Sequence, residues 1–245
     1  MNKIIKIAVN IILIILLVSA FVCIYISGLG FKAKIKNNKT YREMAKKFHI
    51  KAGNGRNKED LIDFNRLRDI NVNVNLWIKI PKTNIDYPII QPLDNTFYLQ
   101  HDIENNYSQY GAIFADCRQG GLLLEKNLII YGHNMGKGCN EMFSSLTEYM
   151  DNSYYKEHRD IWIYERGKKK IYTVVCVRET IVASEAYKIK FKDTDDFQTW
   201  LKGSIKYSAV KCDRVDADKI ENVITLSTCN DSGNKRIIIV CAVCI

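Results

Sequence analysis

Asn222-Val-Ile-Thr-Leu-Ser-Thr-Cys229 runs into Asn230-Asp-Ser-Gly-Asn-Lys-Arg236, after which Ile237-Ile-Ile-Val240 resumes an apolar run. Val, Ile and Thr suit a pleated strand, and Asn-Asp-Ser-Gly-Asn is turn composition, so the stretch reads as strand, loop, strand. A cysteine at the mouth of that loop and an arginine opening the returning strand face the same end of a sheet. The other strands of the chain extend this reading. Leu76–Ile80, Tyr87–Ile90, Gly111–Ala115 and Asn127–Tyr131 are short apolar runs parted by turn-rich connections. Ile161–Tyr164 and Ile171–Val177 flank a Gly167-Lys-Lys turn as a hairpin. Residues 141–158 read as one or two helices, and Asp193 to Tyr207 as an amphipathic helix capped by Asp193 or Thr194. The expected fold is mainly β: an eight-stranded closed β-barrel with inserted helices and an N-terminal helical segment.

The N-terminal third differs in kind. No charged side chain lies between Lys6 and Lys32, and Ile7–Ile26 is almost wholly aliphatic. At about 1.5 Å per residue, twenty such residues cross a hydrocarbon core of about 30 Å. Val18-Ser-Ala20 resembles a signal-peptidase site, but the apolar run exceeds the usual signal length, and Val22 before Cys23 does not suit a lipoprotein signal. An uncleaved anchor is therefore expected. Thr40 is placed to cap a helix Tyr41–Phe48, Gly53-Asn-Gly55 to break it, and a second helix is expected from Lys58 to about Ile70. The resulting division is residues 1–31 as tail and anchor, 32–71 as a basic helical stalk, and 72–245 as the barrel domain.

Charge follows the same division. Residues 1–60 hold 12 of the 36 Lys/Arg and 3 of the 27 Asp/Glu, leaving 24 of each in the remainder. A nucleic-acid enzyme carries its positive charge on the working domain. Here the excess lies in the N-terminal part, which points to a membrane or an anionic wall polymer and not to nucleic acid. Lys3 and Lys6 precede the apolar run while Lys32, Lys34, Lys36 and Lys39 follow it, and that lysine balance alone favours a cytoplasmic barrel. Cys241-Ala-Val-Cys244 lacks nearby histidines and reads as buried strand cysteines, not as a zinc site.

His133 follows an apolar strand in Tyr131-Gly-His-Asn, in the same strand-end setting as Cys229. A free thiol of pKa about 8.5 is mostly protonated at neutral pH, and an adjacent imidazole takes its proton. Arg236 keeps its charge and can meet a developing oxyanion. Cysteine, histidine and arginine together suit acyl transfer. Taken singly, each has a plainer reading: a structural cysteine, a turn histidine, a solvated arginine.

Tyr131-Gly-His-Asn, Thr225-Leu-Ser-Thr-Cys229 with Arg236, and Gly111-Ala-Ile-Phe-Ala-Asp116-Cys-Arg118 together resemble the motifs of the sortases, the membrane-anchored cysteine transpeptidases of Gram-positive bacteria. The N-terminal helical segment, the helix between hairpin and cysteine, and Met142-Phe143 resemble class B in particular. The resemblance, over about residues 72–240, implies that His133, Cys229 and Arg236 are catalytic. It implies that Asn95, Leu99, Tyr187 and Ser227 bind substrate and that the Asn230 backbone N–H assists the oxyanion. Leu99 also reads simply as core. By the same resemblance the enzyme cleaves a C-terminal sorting motif of exported surface proteins after threonine. It then transfers the acyl group to an amine, such as that of a peptidoglycan precursor. No cofactor or metal is implied, and no acidic cluster for calcium is evident. Substrates outside the membrane imply an extracellular barrel, against the lysine balance. A short Cys229-to-Arg236 loop and the apolar chain end depart from the family pattern. Two other readings are a cysteine hydrolase of wall peptides, although such hydrolases usually place cysteine before histidine, and a non-catalytic surface-binding module.

Overall fold

The structure is a computed structural model that describes residues 3–52, 59–120, 123, 125–182, 184–213 and 215–242. The chain divides into two compact units, Met1–Glu43 and Met44–Ile245. The first consists of helix α1, Lys3–Phe48, which continues into the second unit. Among the described residues α1 alone is long and apolar enough to cross a bilayer, and its aliphatic side chains from Ile7 to Ile26 are exposed. The separate helix expected after Thr40 does not exist. Thr40 lies inside α1, because residues 32–47 are rich in Lys and contain neither glycine nor proline. Gly53–Gly55 lies outside the described residues; α1 has already given way at His49 to a strand.

That strand, β1 (His49–Ala52), pairs antiparallel with β2 (Glu59–Ile62), His49 opposite Ile62. The helix expected over 58–70 is thereby reduced to α2, Phe64–Arg68, whose N-cap Asp63 accepts from the Arg66 N–H at 3.2 Å. Tertiary pairing overrides helical periodicity here. Asp60 is held by His49 and by the Tyr164 hydroxyl at 2.9 Å, and the Asp63 N–H bonds the Phe48 carbonyl at 2.9 Å.

Eight strands follow: β3 (Val74–Lys79), β4 (Asp86–Ile90), β5 (Phe114–Ala115), β6 (Asn127–Tyr131), β7 (Asp160–Glu165), β8 (Lys168–Thr180), β9 (Val223–Cys229) and β10 (Arg236–Ala242). They close into the eight-stranded barrel expected from the sequence, in the order β10-β8-β7-β3-β4-β5-β6-β9. Two neighbour pairs are parallel, β4 with β5 and β6 with β9. Short 3-10 turns at Phe97–Leu99, Ser144–Met150, Glu185–Tyr187 and Ala217–Lys219 decorate it, with α3 (Asn152–Glu157) and α4 (Thr194–Lys206). Asp193 caps α4 by accepting from the Asp196 N–H at 2.9 Å.

The continuous apolar run of β10 has a direct cause. Ile238 and Val240 pack with Phe197 and Leu201 of α4, while Ile237 and Ile239, also buried, point to the opposite face of the strand and hence into the barrel. A strand covered on both sides does not alternate. Cys241 is buried in β10, and Cys244 lies outside the described residues.

Candidate active site

Register brings the chemistry together. β6 and β9 run side by side in parallel with Tyr131 opposite Ser227. Two residues beyond each partner, at the same end of the barrel, come His133 and Cys229. The β9–β10 hairpin sets Arg236 directly across from Cys229. These three, with Asn95, Leu99, Phe114, Asp116, Arg118, Tyr131, Gly132, Val182 and Tyr187, line one cleft of about 420 Å³.

Arg236 Nη1 lies against Cys229 Sγ as a hydrogen-bond donor. The imidazole of His133 places Nε2 2.7 Å from the Leu99 carbonyl oxygen. Its own carbonyl accepts from the Phe143 N–H at 2.9 Å. Gly132, one residue earlier, fits because a Cβ there would stand 2.5 Å from Ile113 Cδ1 and 2.7 Å from the Phe143 ring. The Thr228 hydroxyl donates to the Gly132 carbonyl at 2.8 Å, and Gly132 N–H to the Ser227 carbonyl at 3.2 Å. Asn134 completes the tie between the two strand ends. Its Nδ2 donates to the Cys229 carbonyl and to Asp231 Oδ1, both at 3.1 Å. The histidine loop and the cysteine strand are thus hydrogen-bonded to one another through the residues that flank His133 and Cys229.

Beneath the cleft lies a charged wall. Asp116 is fully buried and accepts from Arg118 Nε at 2.9 Å and Nη2 at 2.7 Å, from the Arg118 N–H at 2.9 Å, and from the Tyr131 hydroxyl at 2.8 Å. Burial alone would raise the carboxyl's pKa; the Arg118, Tyr131 and Asn95 hydrogen bonds outweigh it and bring it down to about 2. The same burial, together with the Asp116 charge, drives the Tyr131 phenol upward, so it stays a neutral donor. Asn95 Oδ1 accepts from the Cys117 N–H at 2.8 Å. Tyr187 stacks on Tyr131 at 6.1 Å between ring centroids, and its hydroxyl lies 2.9 Å from Ser227 Oγ.

The structure therefore gathers His133, Cys229, Arg236, Asn95, Leu99 and Tyr187 in one cleft, with Ser227 behind Tyr187. Asn230 departs from expectation. Its N–H donates to the Lys235 carbonyl at 2.9 Å, closing the hairpin loop, and its side chain bonds Glu179 Oε1 at 2.9 Å. The amide expected at the oxyanion is thus engaged within the loop between Cys229 and Arg236. Asp116, Arg118 and Val182 also line the cleft, beyond the site residues expected from the sequence. The Asp-x-Arg spacing in a turn after a strand was the available signal for the first two; Val182 offered none.

Similarity to known proteins follows the same region. A family model described as the sortase domain matches residues 78–243. The curated Sortase B of Listeria monocytogenes is 34% identical over 201 residues, which cover 80% of this chain and 79% of that protein. The Staphylococcus aureus sortase B–substrate complex matches with a TM-score of 0.67 and 31% identity, over 73% of this chain and 83% of that one. A crystal structure of sortase B complexed with triglycine matches with a TM-score of 0.66 and 32% identity, over 73% of this chain and 84% of that one.

Proposed function

Because the chain belongs to the sortase family, class B, and is therefore a cysteine transpeptidase, we propose that Cys229 is its nucleophile, His133 its proton carrier and Arg236 its oxyanion-side cation. The observation that carries this reading is the convergence of all three in one cleft, with the guanidinium on the sulfur. Cys229 Sγ attacks the carbonyl carbon of the scissile bond while its proton passes to the His133 imidazole. Arg236, already at the sulfur, meets the negative charge that develops on the adjacent oxygen. Collapse breaks the C–N bond, and His133 returns the proton to the leaving amine. The thioacyl-enzyme is then attacked by an amine nitrogen. His133 accepts a proton from that nitrogen, the C–S bond breaks, and the proton returns to Cys229.

The substrate is the C-terminal sorting motif of an exported surface protein, cleaved after threonine. Asn95, Leu99, Tyr187 and Ser227 shape its binding, the last through its contact with Tyr187. A relative complexed with triglycine supports an oligoglycine-like amine acceptor, such as the bridge of a peptidoglycan precursor. Residues 1–31 form the tail and membrane anchor, 32–71 a basic connecting segment, and 72–245 the catalytic barrel, which faces outward, where such substrates lie.

Intact mass spectrometry tests the reading. The full chain in detergent is mixed with threonine-containing motif peptides, with and without triglycine. An acyl adduct is expected on wild type but not on Cys229→Ala, and it should convert to a peptide–triglycine product. An adduct that survives in Cys229→Ala would overturn the assignment of the nucleophile. Release of free acid alone, unchanged by added triglycine, would favour a hydrolase.

A further inference from the structure

Resting on the reading of His133 as the proton carrier, the geometry around Gly111 assigns one more part of the machinery. A carbonyl oxygen can only accept, so an imidazole nitrogen 2.7 Å from the Leu99 carbonyl must carry a hydrogen. Nε2 therefore keeps its proton in both the neutral and the charged ring. The proton that comes and goes during the reaction is then the one on Nδ1.

The Leu99 carbonyl belongs to the last residue of the 3-10 turn Phe97–Leu99, and its position depends on what packs behind it. That neighbour is Gly111. Its φ is +59°, a left-handed backbone that side-chain-bearing residues rarely adopt. A Cβ at this position would stand 2.4 Å from the Tyr98 carbonyl oxygen, 2.9 Å from the Leu99 carbonyl oxygen and 3.1 Å from His133 Cδ2. The first two are backbone atoms and cannot swing aside as a side-chain tip would. The next amide, Ala112 N–H, bonds the Tyr98 carbonyl at 2.9 Å and locks the two segments together. Only a residue without a side chain lets this backbone close on the turn while leaving the Leu99 carbonyl on the imidazole.

We propose that Gly111 is a positioning residue of the transpeptidation, holding the Leu99 carbonyl against His133 Nε2 so that Nδ1 is the atom that takes and returns the proton. Leu99 then acts through its backbone as the ring's orienting acceptor, the role a carboxylate plays in a serine-histidine-aspartate triad, without adding a charge.

The test uses the full chain in detergent micelles, labelled with 15N-histidine; the chain has four histidines, and His133→Ala identifies the His133 signals by their loss. Long-range 1H–15N correlation of the neutral ring is expected to show Nε2 protonated and Nδ1 bare. In Gly111→Ala the ring should lose this fixed tautomer. At the same time kcat should fall on the order of 10²-fold with KM within about threefold, as expected for misplacement by about an ångström. A wild-type ring protonated at Nδ1, or a folded Gly111→Ala enzyme with unchanged kcat, would overturn the proposal. If Gly111→Ala does not fold, the wild-type tautomer decides alone. Failure of the underlying reading looks different: His133→Ala would then retain transfer activity.

Discussion

Asp116 is a buried anion with every oxygen engaged, and removing its charge should be felt at once. Asp116→Asn leaves the Arg118 guanidinium and the Tyr131 hydroxyl facing a group that accepts less well. Breaking a buried pair costs about 3–5 kcal/mol; Arg118 is 55% exposed and can return to water, so the lower end is expected. Urea unfolding measures it. The sign of the pH dependence follows from a pKa lowered from 3.8 to about 2. The carboxylate's contribution is present above the unfolded value and is lost as pH falls through about 2. Acid unfolding of Asp116→Asn should accordingly lack that component. At the cysteine, Arg236→Lys keeps the charge but loses the planar fork, and kcat in the transfer assay should drop about 10²-fold. Tyr187→Phe removes only the bond to Ser227 and should cost about 1 kcal/mol, read as a rise in KM for the motif peptide.

At the scale of elements, the β1–β2 hairpin is fastened by an imidazole with a carboxylate on each nitrogen. His49 Nδ1 lies 3.1 Å from both Asp60 oxygens and Nε2 2.9 Å from Asp86 Oδ1. Trp77 and Tyr164 meet the ring edge-on, Trp77 Nε1 and Lys79 Nζ also bind Asp86, and Lys51 stands 3.8 Å from Asp60. Burial opposes the charge on His49, but Asp86 and Asp60 outweigh it and raise its pKa, while both carboxylates are lowered despite their own burial. A raised histidine stabilises fully below about 6.5 and loses that contribution as pH rises through its folded pKa. The lowered carboxylates stabilise above 3.8 and lose it as pH falls. The clamp is therefore strongest between those limits. Hydrogen exchange of the amides of residues 49–52 and 59–62, corrected for intrinsic rates, should show greatest protection near about pH 5–6 and less at about pH 9. In His49→Gln this dependence should vanish.

The same clamp explains where the sequence was unreadable. Most strands and helices announce themselves by local pattern, and β6, β9 and β10 begin and end close to where their apolar runs do. β2 does not, because its partners, strand β1 with His49 and the Tyr164 hydroxyl, lie elsewhere in the chain, and nothing within residues 58–70 encodes them. His133 and Cys229 are legible because Cys229 ends an apolar strand and His133 lies two residues past the end of another. The occupation of the Asn230 amide was not, since it depends on how tightly the loop between Cys229 and Arg236 closes. Gly111 was visible only as part of a motif; its reason is a contact with two carbonyls from another segment.

For the molecule as a whole, the apolar and basic N-terminal part and the charge-balanced remainder behave as different materials. The full chain should partition into the detergent phase on cloud-point separation, and a chain of residues 44–245 into the aqueous phase, checked by immunoblot of both. Such a chain should retain transfer from peptide to triglycine, since every residue lining the cleft lies within it.

The parallel pairing of β6 with β9 has a bearing on timing. Neighbouring parallel strands cannot be joined by a tight turn, and here a long excursion comprising β7, β8 and α4 lies between Tyr131 and Val223. His133 is therefore synthesised well before Cys229 and Arg236, and β6 gains its β9 neighbour only once β9 and β10 are in place between β6 and β8. Until that last pair of strands seats itself, no thiol stands beside the imidazole. With Cys229 as the proposed nucleophile, thiol and imidazole are brought together by the same event that seals the barrel. Refolding should accordingly show catalytic recovery only in its slowest phase, after most secondary structure has returned.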